Sequence, residues 1–364
     1  MAYTTIDDGS AHHQTAIYTG NDTDGTQITN DGNSNLKPDL LWIRNRTDSG
    51  NPPAPGGIWD STRGFAENKV ITPFTNNAEG ANSNGFAIAT TDGFTVEDGT
   101  SGANPRVATN KNGKNYVAWQ WAANGGTTTS FNESGDNPGG THQANTTGGF
   151  SIVFYTGTGA IGTVQHGLGA KPGWMIIKRL ESADNVTVYH SSLGATHRLK
   201  LNTDNTAQDT DSIFNDTEPT SSVFTLKTNN EVNGDAETYV AWCWAPIKGY
   251  SKFGKYTGDG NNPGPFIHTG FKPAYLMIRR TDATQHFYVM DNTRDSYQNP
   301  FADLISPNNT SAENADTARG DFLSNGFKIR STANAFNADG GNYVYMAFAE
   351  HPFVSSKGVP VTAK

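Results

Sequence analysis

Residues Tyr116–Trp121 read Tyr-Val-Ala-Trp-Gln-Trp, and similar runs return at Tyr239–Trp244 (Tyr-Val-Ala-Trp-Cys-Trp) and Tyr343–Phe348 (Tyr-Val-Tyr-Met-Ala-Phe). Successive side chains of a β-strand point to opposite faces. The second, fourth and sixth residues of each run therefore share one face, which is bulky and apolar in all three copies. The opposite face is smaller and mixed. The pattern predicts a strand used three times, with its aromatic face in the core of its own unit rather than exposed as a platform for sugar rings.

Two other landmarks precede each of these closing strands. The tripeptide Tyr-Thr-Gly comes first, and a Lys-Pro pair follows it, leading into an apolar strand that ends in basic residues. The tripeptide begins at Tyr18, Tyr155 and Tyr256, and the Lys-Pro pair begins at Lys37, Lys171 and Lys272. The repeated order of landmarks indicates one design used three times. We interpret the basic residues at the strand ends as structural.

Length and composition predict an all-β, modular protein. A chain of 364 residues is too long for one typical core, and three units of about 100 residues suit the usual domain size. Charged residues are 17% of the chain, long amphipathic helical patterns are absent, and short alternating runs are separated by turn residues. We predict three tandem antiparallel β-sandwich domains at residues 14–123, 149–247 and 250–353, called below the first, second and third unit.

The segments between and around these units differ in composition. Residues 124–148 contain few apolar side chains, which predicts a Gly/Thr/Asn-rich linker. The short connection at 245–249 predicts that the second and third units pack together while the first is more free. Residues 1–13 and 354–364 lack periodicity and are predicted to be an N-terminal arm and a C-terminal tail. The polar N-terminus predicts no signal peptide, and no run is apolar enough for membrane insertion.

Charge and ligand chemistry argue against several classes of function. The formal net charge of −9 disfavours binding to nucleic acid, which needs concentrated Lys and Arg. The lone Cys243 cannot form an intrachain disulfide and has no evident base partner. The nine histidines lack metal-ligand spacing, and Asn21–Gly25 resembles a calcium loop without its downstream glutamate. We therefore expect no catalytic residue, no cofactor and no metal.

A turn after the middle strand carries Asp and Arg three residues apart in two of the units. The pairs are Asp60 with Arg63 and Asp291 with Arg294. A charge-assisted hydrogen bond between them would lock a tight turn. The second unit has His190 at the aspartate position and a leucine at the arginine position, so the pair is dispensable there.

The same turns are the first places to look for a ligand. Trp59 and His190 place an aromatic ring or an imidazole beside polar groups, and carbohydrate contacts use such neighbours. We interpret the turns mainly as structural corners and retain Trp59 and His190 as candidate ligand-binding residues.

One cluster of acidic residues is a candidate for the paired carboxylates of a glycoside hydrolase. Glu231, Asp235 and Glu237 would share one face of a continuous strand, as paired catalytic carboxylates must. However, Asn233-Gly234 is a turn signal that breaks this face. We interpret the cluster as a solvated hairpin tip.

Several strings resemble virion structural proteins of marine tailed bacteriophages, including cyanophages, and the resemblance covers nearly the whole chain. The strings are Gly149–Val153 with Tyr155–Gly157, His166–Pro172, Gly249–Gly258 and Phe348–Phe353. Members of that family resemble concanavalin-like jelly rolls. The resemblance thus implies three jelly-roll domains in a protein that is assembled into the virion in the host bacterial cytoplasm.

The resemblance also implies a function. It implies a non-enzymatic tail fibre or host-attachment component exposed on the particle. Its partners would be other virion proteins, further copies of itself as a homo-oligomer, with a trimer expected, and a host surface glycan. A capsid decoration protein is the first alternative. A carbohydrate-active enzyme or lectin acting on host surface polysaccharide is the second, because fold alone does not fix function.

Overall fold

The computed structural model describes residues 4–47, 56–80, 84–100, 105–295, 299–315, 317–349 and 351–352. Within these ranges the chain forms six antiparallel β-sheets, and its helices are single short turns. The prediction of an all-β protein with antiparallel sheets is confirmed. The predicted tail at 354–364 lies outside the described residues.

The strands are numbered in chain order. The first unit contains β1 (His13–Thr19), β2 (Thr26–Ile28), β3 (Leu40–Asn45), β4 (Gly56–Asp60), β5 (Phe86–Ala89), β6 (Phe94–Glu97) and β7 (Asn115–Trp121). Next come β8 (Thr129–Phe131), β9 (Gly139–Asn145), β10 (Phe150–Thr156), β11 (Gly162–Gln165), β12 (Trp174–Arg179), β13 (Thr187–His190), β14 (His197–Lys200), β15 (Gln208–Asp209), β16 (Val223–Leu226), helix α1 (Asn230–Asn233) and β17 (Thr238–Trp244). The third unit contains β18 (Ser251–Thr257), β19 (Phe266–His268), β20 (Pro273–Arg280), β21 (Phe287–Asp291), β22 (Gly320–Leu323), β23 (Gly326–Ile329), helix α2 (Asn334–Asn337) and β24 (Asn342–Ala349), and 3-10 turns lie at Gly9–Ala11 and Glu67–Lys69.

Each unit builds its main sheet in the same order, with the closing strand in the interior. The orders are β1-β7-β3-β4 in the first unit and β18-β24-β20-β21 in the third. The second unit contains the matching order β10-β17-β12-β13 inside a longer sheet, β15-β14-β13-β12-β17-β10-β9-β8. The three closing strands therefore belong to three separate sheets. Each unit adds a small sheet: β2-β6-β5, β11-β16 and β19-β23-β22.

The repeated Tyr-Thr-Gly has the same physical role in each unit. Its tyrosine ring stacks on the tyrosine of the closing strand, with ring centroids 4.8–5.1 Å apart in the three pairs. Its glycine lies against backbone of the loop before the closing strand. A Cβ on Gly20, Gly157 or Gly258 would lie 2.2–2.3 Å from a carbonyl oxygen of that loop, so only glycine fits. The tripeptide thus fixes the first strand to the closing strand.

The smaller face of each main sheet packs on that unit's own small sheet. In the first unit, Ile43 and Tyr116 of the main sheet share a buried cluster with Phe94 and Val96 of the small sheet. In the second unit, β10, β12 and β17 contribute to a similar cluster with β11 and β16. Each unit is therefore sandwich-like, with the small sheet covering one face of the large one.

The aromatic faces of the closing strands pack between units. The ring of Trp121 lies 5.7 Å from that of Trp244 in the second unit and 5.7 Å from that of Tyr275 in the third. All three faces belong to one buried cluster. Trp119 and Trp242 are fully buried, but our prediction that they fill the cores of their own units is wrong. Each sheet already uses its smaller face for its own sandwich, so the bulky face is buried against the other two.

The predicted linker at 124–148 instead contains two strands. Strand β9 pairs with β10 along its whole length, and β8 pairs with β9. The side chain of Gln143 in β9 donates through Nε2 to Ser61 Oγ at 2.8 Å and to Thr62 Oγ1 at 2.6 Å, both in the first unit. The segment therefore extends the second unit's sheet, and the first unit is not free but held by the other two.

Candidate functional site: three equivalent junctions

The Asp–Arg turns form two closed, buried corners. Asp60 accepts a hydrogen bond from Arg63 Nε at 2.7 Å and another from the Arg63 backbone N–H at 3.0 Å. Asp291 accepts the same two bonds from Arg294, at 2.6 and 2.9 Å. Both carboxylates are fully buried. Buried charges need such compensation, because an unpaired carboxylate in a dry interior is very unfavourable.

Each of these corners also receives a tryptophan from another unit. Trp242 of the second unit donates from Nε1 to Asp60 Oδ2 of the first unit at 3.0 Å. Trp119 of the first unit donates in the same way to Asp291 Oδ2 of the third unit, also at 3.0 Å. The guanidinium of each corner lies 5.8 Å from the ring of the incoming tryptophan. We call each such contact between units a junction.

The corner of the second unit has a histidine at the strand position where the other two corners have an aspartate. His190 lies opposite Trp174, as Asp60 lies opposite Leu40 and Asp291 opposite Tyr275. Its Nδ1 accepts from the Ser192 backbone N–H at 2.9 Å, so the hydrogen is on Nε2, which lies 3.2 Å from the carbonyl oxygen of Tyr345. This corner donates a hydrogen bond to the third unit, whereas the other two corners accept one.

The residue that faces each corner from the neighbouring unit explains why the second unit has histidine instead of aspartate. Trp119, Trp242 and Met346 occupy matching positions in their closing strands. A methionine has no N–H to give, so a carboxylate facing it would lack the hydrogen bond that the indole supplies in the other two junctions. His190 is neutral and meets a backbone carbonyl beside Met346 instead. The sequence interpretation that the Asp–Arg pair is dispensable in the second unit thus has a structural reason.

The second shared element is a buried cation at the end of the Lys-Pro strand. Arg44 donates to the carbonyl oxygens of Asn309 and Ser311 in the third unit at 2.9 and 2.6 Å. Lys178 donates to Asn76 O of the first unit at 3.2 Å, and Arg279 donates to Asn205 O of the second. Burial lowers the pKa of Arg44 to about 9, of Lys178 to about 8 and of Arg279 to about 10. Backbone carbonyls of the next unit replace part of the water that these cations lose.

A backbone hydrogen bond between units lies two residues after each cation. Its acceptors are the carbonyl oxygens of Arg46, Leu180 and Thr281, and its donors are the N–H groups of Glu313, Glu79 and Ala207, at 2.8–2.9 Å. The side chains of Glu79 and Glu313 also accept from the corner arginines, at 2.6 and 2.5 Å. In the second unit the arginine position holds Leu193 and the glutamate position holds Ala207. Both positions of this ion pair are therefore apolar in the second unit.

These contacts all run in one direction around the molecule. The second unit inserts into the first, the first into the third, and the third into the second. Head-to-tail contacts of this kind close into a ring when the rotation between neighbours allows it. The chain therefore forms a closed ring of three units related by an approximate threefold arrangement.

A family model described as a domain of unknown function (DUF7483) matches residues 8–352. The chain belongs to the DUF7483 family. The match runs through all three units as one domain, in agreement with the closed ring. No curated protein and no solved structure matches the chain.

The DUF7483 ring buries both candidate ligand-binding residues. Trp59 and His190 have no exposed surface. Trp59 packs in the first unit's own sandwich, and His190 is bonded within the third-to-second junction. Neither side chain presents a surface to solvent, so the candidate ligand site stays a prediction for the loops around Trp59 and His190.

An open cavity does lie beside the loop that follows Trp59. It has a volume of about 490 Å³ at the second-to-first junction and is lined by both units. Its lining includes Thr62, Arg63 and Lys69 from the first unit and Phe154 and Thr238 from the second. A ring beside hydroxyl and charged groups can contact a polar organic ligand, and the volume suits one.

The other sequence candidates have bonding partners inside the protein. Glu231 lies in the first turn of helix α1 and bonds to Asn185 and Arg198, while Asp22 of the calcium-like loop pairs with Lys111 at 3.1 Å. Burial raises the pKa of the Cys243 thiol. Among the described residues, no group of three or more His, Cys, Asp or Glu is placed to hold a metal ion. No helix in this part of the chain has the length and apolarity needed to cross a membrane.

Sequence reasoning missed that the basic strand ends reach into other units. Arg44, Lys178 and Arg279 occur at the same place in three copies, and this repetition was a usable signal. A cation repeated at the end of an otherwise apolar strand needs a partner, and none of the three strands itself contains a carboxylate. The partners are backbone carbonyl groups. Because every residue has one, a pattern of side chains does not identify them.

A double-mutant cycle should detect the indole–carboxylate bond between the second and first units. Trp242→Phe removes the N–H, and Asp60→Asn removes the charge of the acceptor. We expect a coupling of about 1–2 kcal/mol in the free energy of unfolding, measured by urea denaturation, because hydrogen bonds to buried charged groups are strong. Trp174→Phe is the matched control, since the Trp174 N–H has no hydrogen-bond partner among the described residues. A Trp242–Asp60 coupling no larger than that of Trp174 with Asp60 would contradict the assignment.

Acid should weaken the third-to-second junction. Burial lowers the pKa of His190 to about 4 from its ordinary value of 6.5. The unfolded chain therefore takes up a proton between pH 6.5 and pH 4 that the folded protein resists, and the free energy of unfolding falls as pH drops through this window. His190→Gln should remove about 1–3 kcal/mol of that fall in urea titrations at several pH values. Equal slopes for wild type and His190→Gln would refute the expectation.

Proposed function

We propose that this DUF7483 chain is a non-enzymatic structural protein of a bacteriophage virion that acts in host attachment on the outside of the particle. The proposal is supported mainly by the structural role of the clustered charged and aromatic side chains. The corners, the strand-end cations and the aromatic faces all hold three units in one ring. Most of the charged and aromatic groups that could have formed a catalytic site instead make the contacts between units.

The surface supports the same proposal. Charged residues are scarce, and the polar surface is composed largely of Asn, Thr, Ser and Gly. Large apolar side chains such as Ile17, Ile88, Ile161 and Phe266 are exposed singly on different strands or loops. A polar exterior with few charged side chains over a tightly packed interior suits a particle protein that must stay soluble outside the cell. Loops at the ends of sheets are the usual places for recognition.

We propose that each unit is a reduced jelly-roll sandwich of the concanavalin-like type. The main sheet and the small sheet of each unit enclose an apolar layer, as the two sheets of such a sandwich do. The shared main-sheet order in all three units supports one ancestral module. Copies of the chain are proposed to assemble further as a trimer with other virion proteins as neighbours.

The cavity at the second-to-first junction favours a glycan as the host ligand. Lys69 and Glu79 bring both charges to its lining, and Thr62, Thr141 and Thr238 bring hydroxyl groups. Such a balanced lining suits a neutral saccharide better than an anion or a cation. The ring of Phe154 supplies an apolar surface of the kind on which a sugar ring packs. A lectin-like role is thus part of the proposed attachment function.

Particle composition tests the proposed function directly. Mass spectrometry of gradient-purified particles from infected cells should detect the chain, and an antibody against it should label intact particles. Purified protein should reduce adsorption of those particles to host cells. Lys69→Ala and Thr141→Val, which alter the cavity, should weaken this competition, whereas Ile88→Ala on a separate sheet should not.

Two results would count against the proposal. Presence of the chain in the lysate but not in purified particles would remove the virion assignment. Release of reducing ends from host polysaccharide by the purified protein would show an enzyme instead.

A further inference from the structure

The cavity at the second-to-first junction has walls that the other two junctions do not repeat. One wall contains Phe154 of β10, at the strand position where the first unit has Ile17 and the third has Lys255. Thr141 of β9 pairs with Phe154 and also lines the cavity. In the described part of the chain, β1 and β18 are the outermost strands of their main sheets, so β9 has no counterpart beside them. An aromatic ring and an added strand therefore occur together at one junction of the three.

A buried donor lies at the inner end of this cavity. Arg63 lines the cavity with a side chain that is 1% exposed, whereas the side chain of Lys69 is 34% exposed. The Nε and Nη1 groups of Arg63 are bonded within the first unit, but its Nη2 has no hydrogen-bond partner among the described residues. The matching Nη2 of Arg294 in the third unit donates to Val289 O at 2.8 Å. A buried guanidinium N–H without an acceptor is unfavourable, so a ligand oxygen that reaches Arg63 gains a charge-assisted hydrogen bond.

The acidic groups of the lining already accept hydrogen bonds from the protein. Glu79 accepts from Arg63 Nη1 at 2.6 Å and from Lys69 Nζ at 3.1 Å. Glu181 accepts from both the backbone N–H and the hydroxyl group of Thr238. The groups left over are mainly donors, namely Arg63 Nη2 and the remaining N–H groups of Lys69. The ligand should therefore supply acceptor oxygens.

The charges around the cavity disfavour an acidic ligand. Arg63 is paired with Asp60, and Lys69 is paired with Glu79. Glu181 then leaves a negative charge at the lining without a cation to balance it. A carboxylate or sulfate group on the ligand would add a second negative charge there. The acceptor should thus be a neutral oxygen, and an amide carbonyl is a stronger neutral acceptor than a sugar hydroxyl group.

We infer that this cavity binds a saccharide that carries an N-acetyl group. The inference rests on the proposed function and specifies its host ligand. The acetyl carbonyl accepts from Arg63 Nη2, and the acetyl methyl group packs on the ring of Phe154, which is supported from behind by the apolar cluster between the units. A simple hexose has neither group. The cavity volume of about 490 Å³ lies in the range of small-ligand sites.

Saturation-transfer difference NMR of the intact chain tests the chemistry of the ligand. The probes are the methyl glycosides of N-acetylglucosamine, N-acetylgalactosamine, glucose, galactose and glucuronic acid. At least one acetamido glycoside should bind saturably, with the largest saturation on its acetyl methyl protons. The plain glycosides and the glucuronide should bind about 10-fold more weakly, which equals about 1.4 kcal/mol, because they lack the amide carbonyl or add a negative charge.

Substitutions drawn from the other units test the location of the site. Phe154→Ile copies the residue of the first unit and should weaken binding of the acetamido glycoside about 10-fold. Arg63→Lys keeps the charge but removes Nη2, so it should reduce the preference for acetamido over plain glycosides. Arg294→Lys makes the same change at the matching corner of the third unit. It should lower the melting temperature to a similar extent while leaving the affinity and the preference unchanged.

Each contrary outcome has its own meaning. Equal affinity for acetamido and plain glycosides would overturn the inference and leave the cavity as a general lectin site. Tightest binding of the glucuronide would overturn it by showing an anion site. Wild-type affinity in both Phe154→Ile and Arg63→Lys would overturn the location, and no binding of any glycoside would overturn both the inference and the lectin-like role. Particle composition is measured separately, so the virion assignment is tested independently.

Discussion

The structure depends on buried carboxylates that are satisfied only when two units meet. Asp60 and Asp291 each accept from their own arginine and from the indole of another unit. A carboxylate withdrawn from water needs its oxygens occupied, and the arginine beside it needs the same. Separating the units would leave the indole N–H and one bond of the carboxylate without partners and would expose the aromatic faces. The units are therefore parts of one folded body rather than a series of independent domains.

The three junctions show that this constraint can be met in two ways. Where the incoming residue is tryptophan, the corner holds Asp and Arg, and a glutamate follows on the same unit. Where the incoming residue is Met346, the corner holds His190 and Leu193, and the glutamate position is Ala207. Four positions in two different units change as a set. Local consistency of this kind is what a unique folded state requires, because a charged corner facing methionine would carry an unsatisfied group.

The amount that could be predicted from the sequence follows from which interactions are local. Strand alternation identified the closing strands, and the repeated Tyr-Thr-Gly located the unit starts, since both depend on residues close in sequence. The partner of the aromatic face could not be predicted, because the pattern shows that a face is apolar and not what covers it. β9 was missed because its residues, from Gly139 to Asn145, are small and polar and lack apolar alternation. The Asp–Arg corners could be predicted as turns, whereas their indole partners lie more than 170 residues away.

Closure through the junctions makes the three units unfold as a single cooperative body. Differential scanning calorimetry of the intact chain should therefore show one transition, with a calorimetric enthalpy equal to the van't Hoff enthalpy. Two or three resolved transitions, with a calorimetric enthalpy well above the van't Hoff value, would show that the units unfold independently and would contradict it.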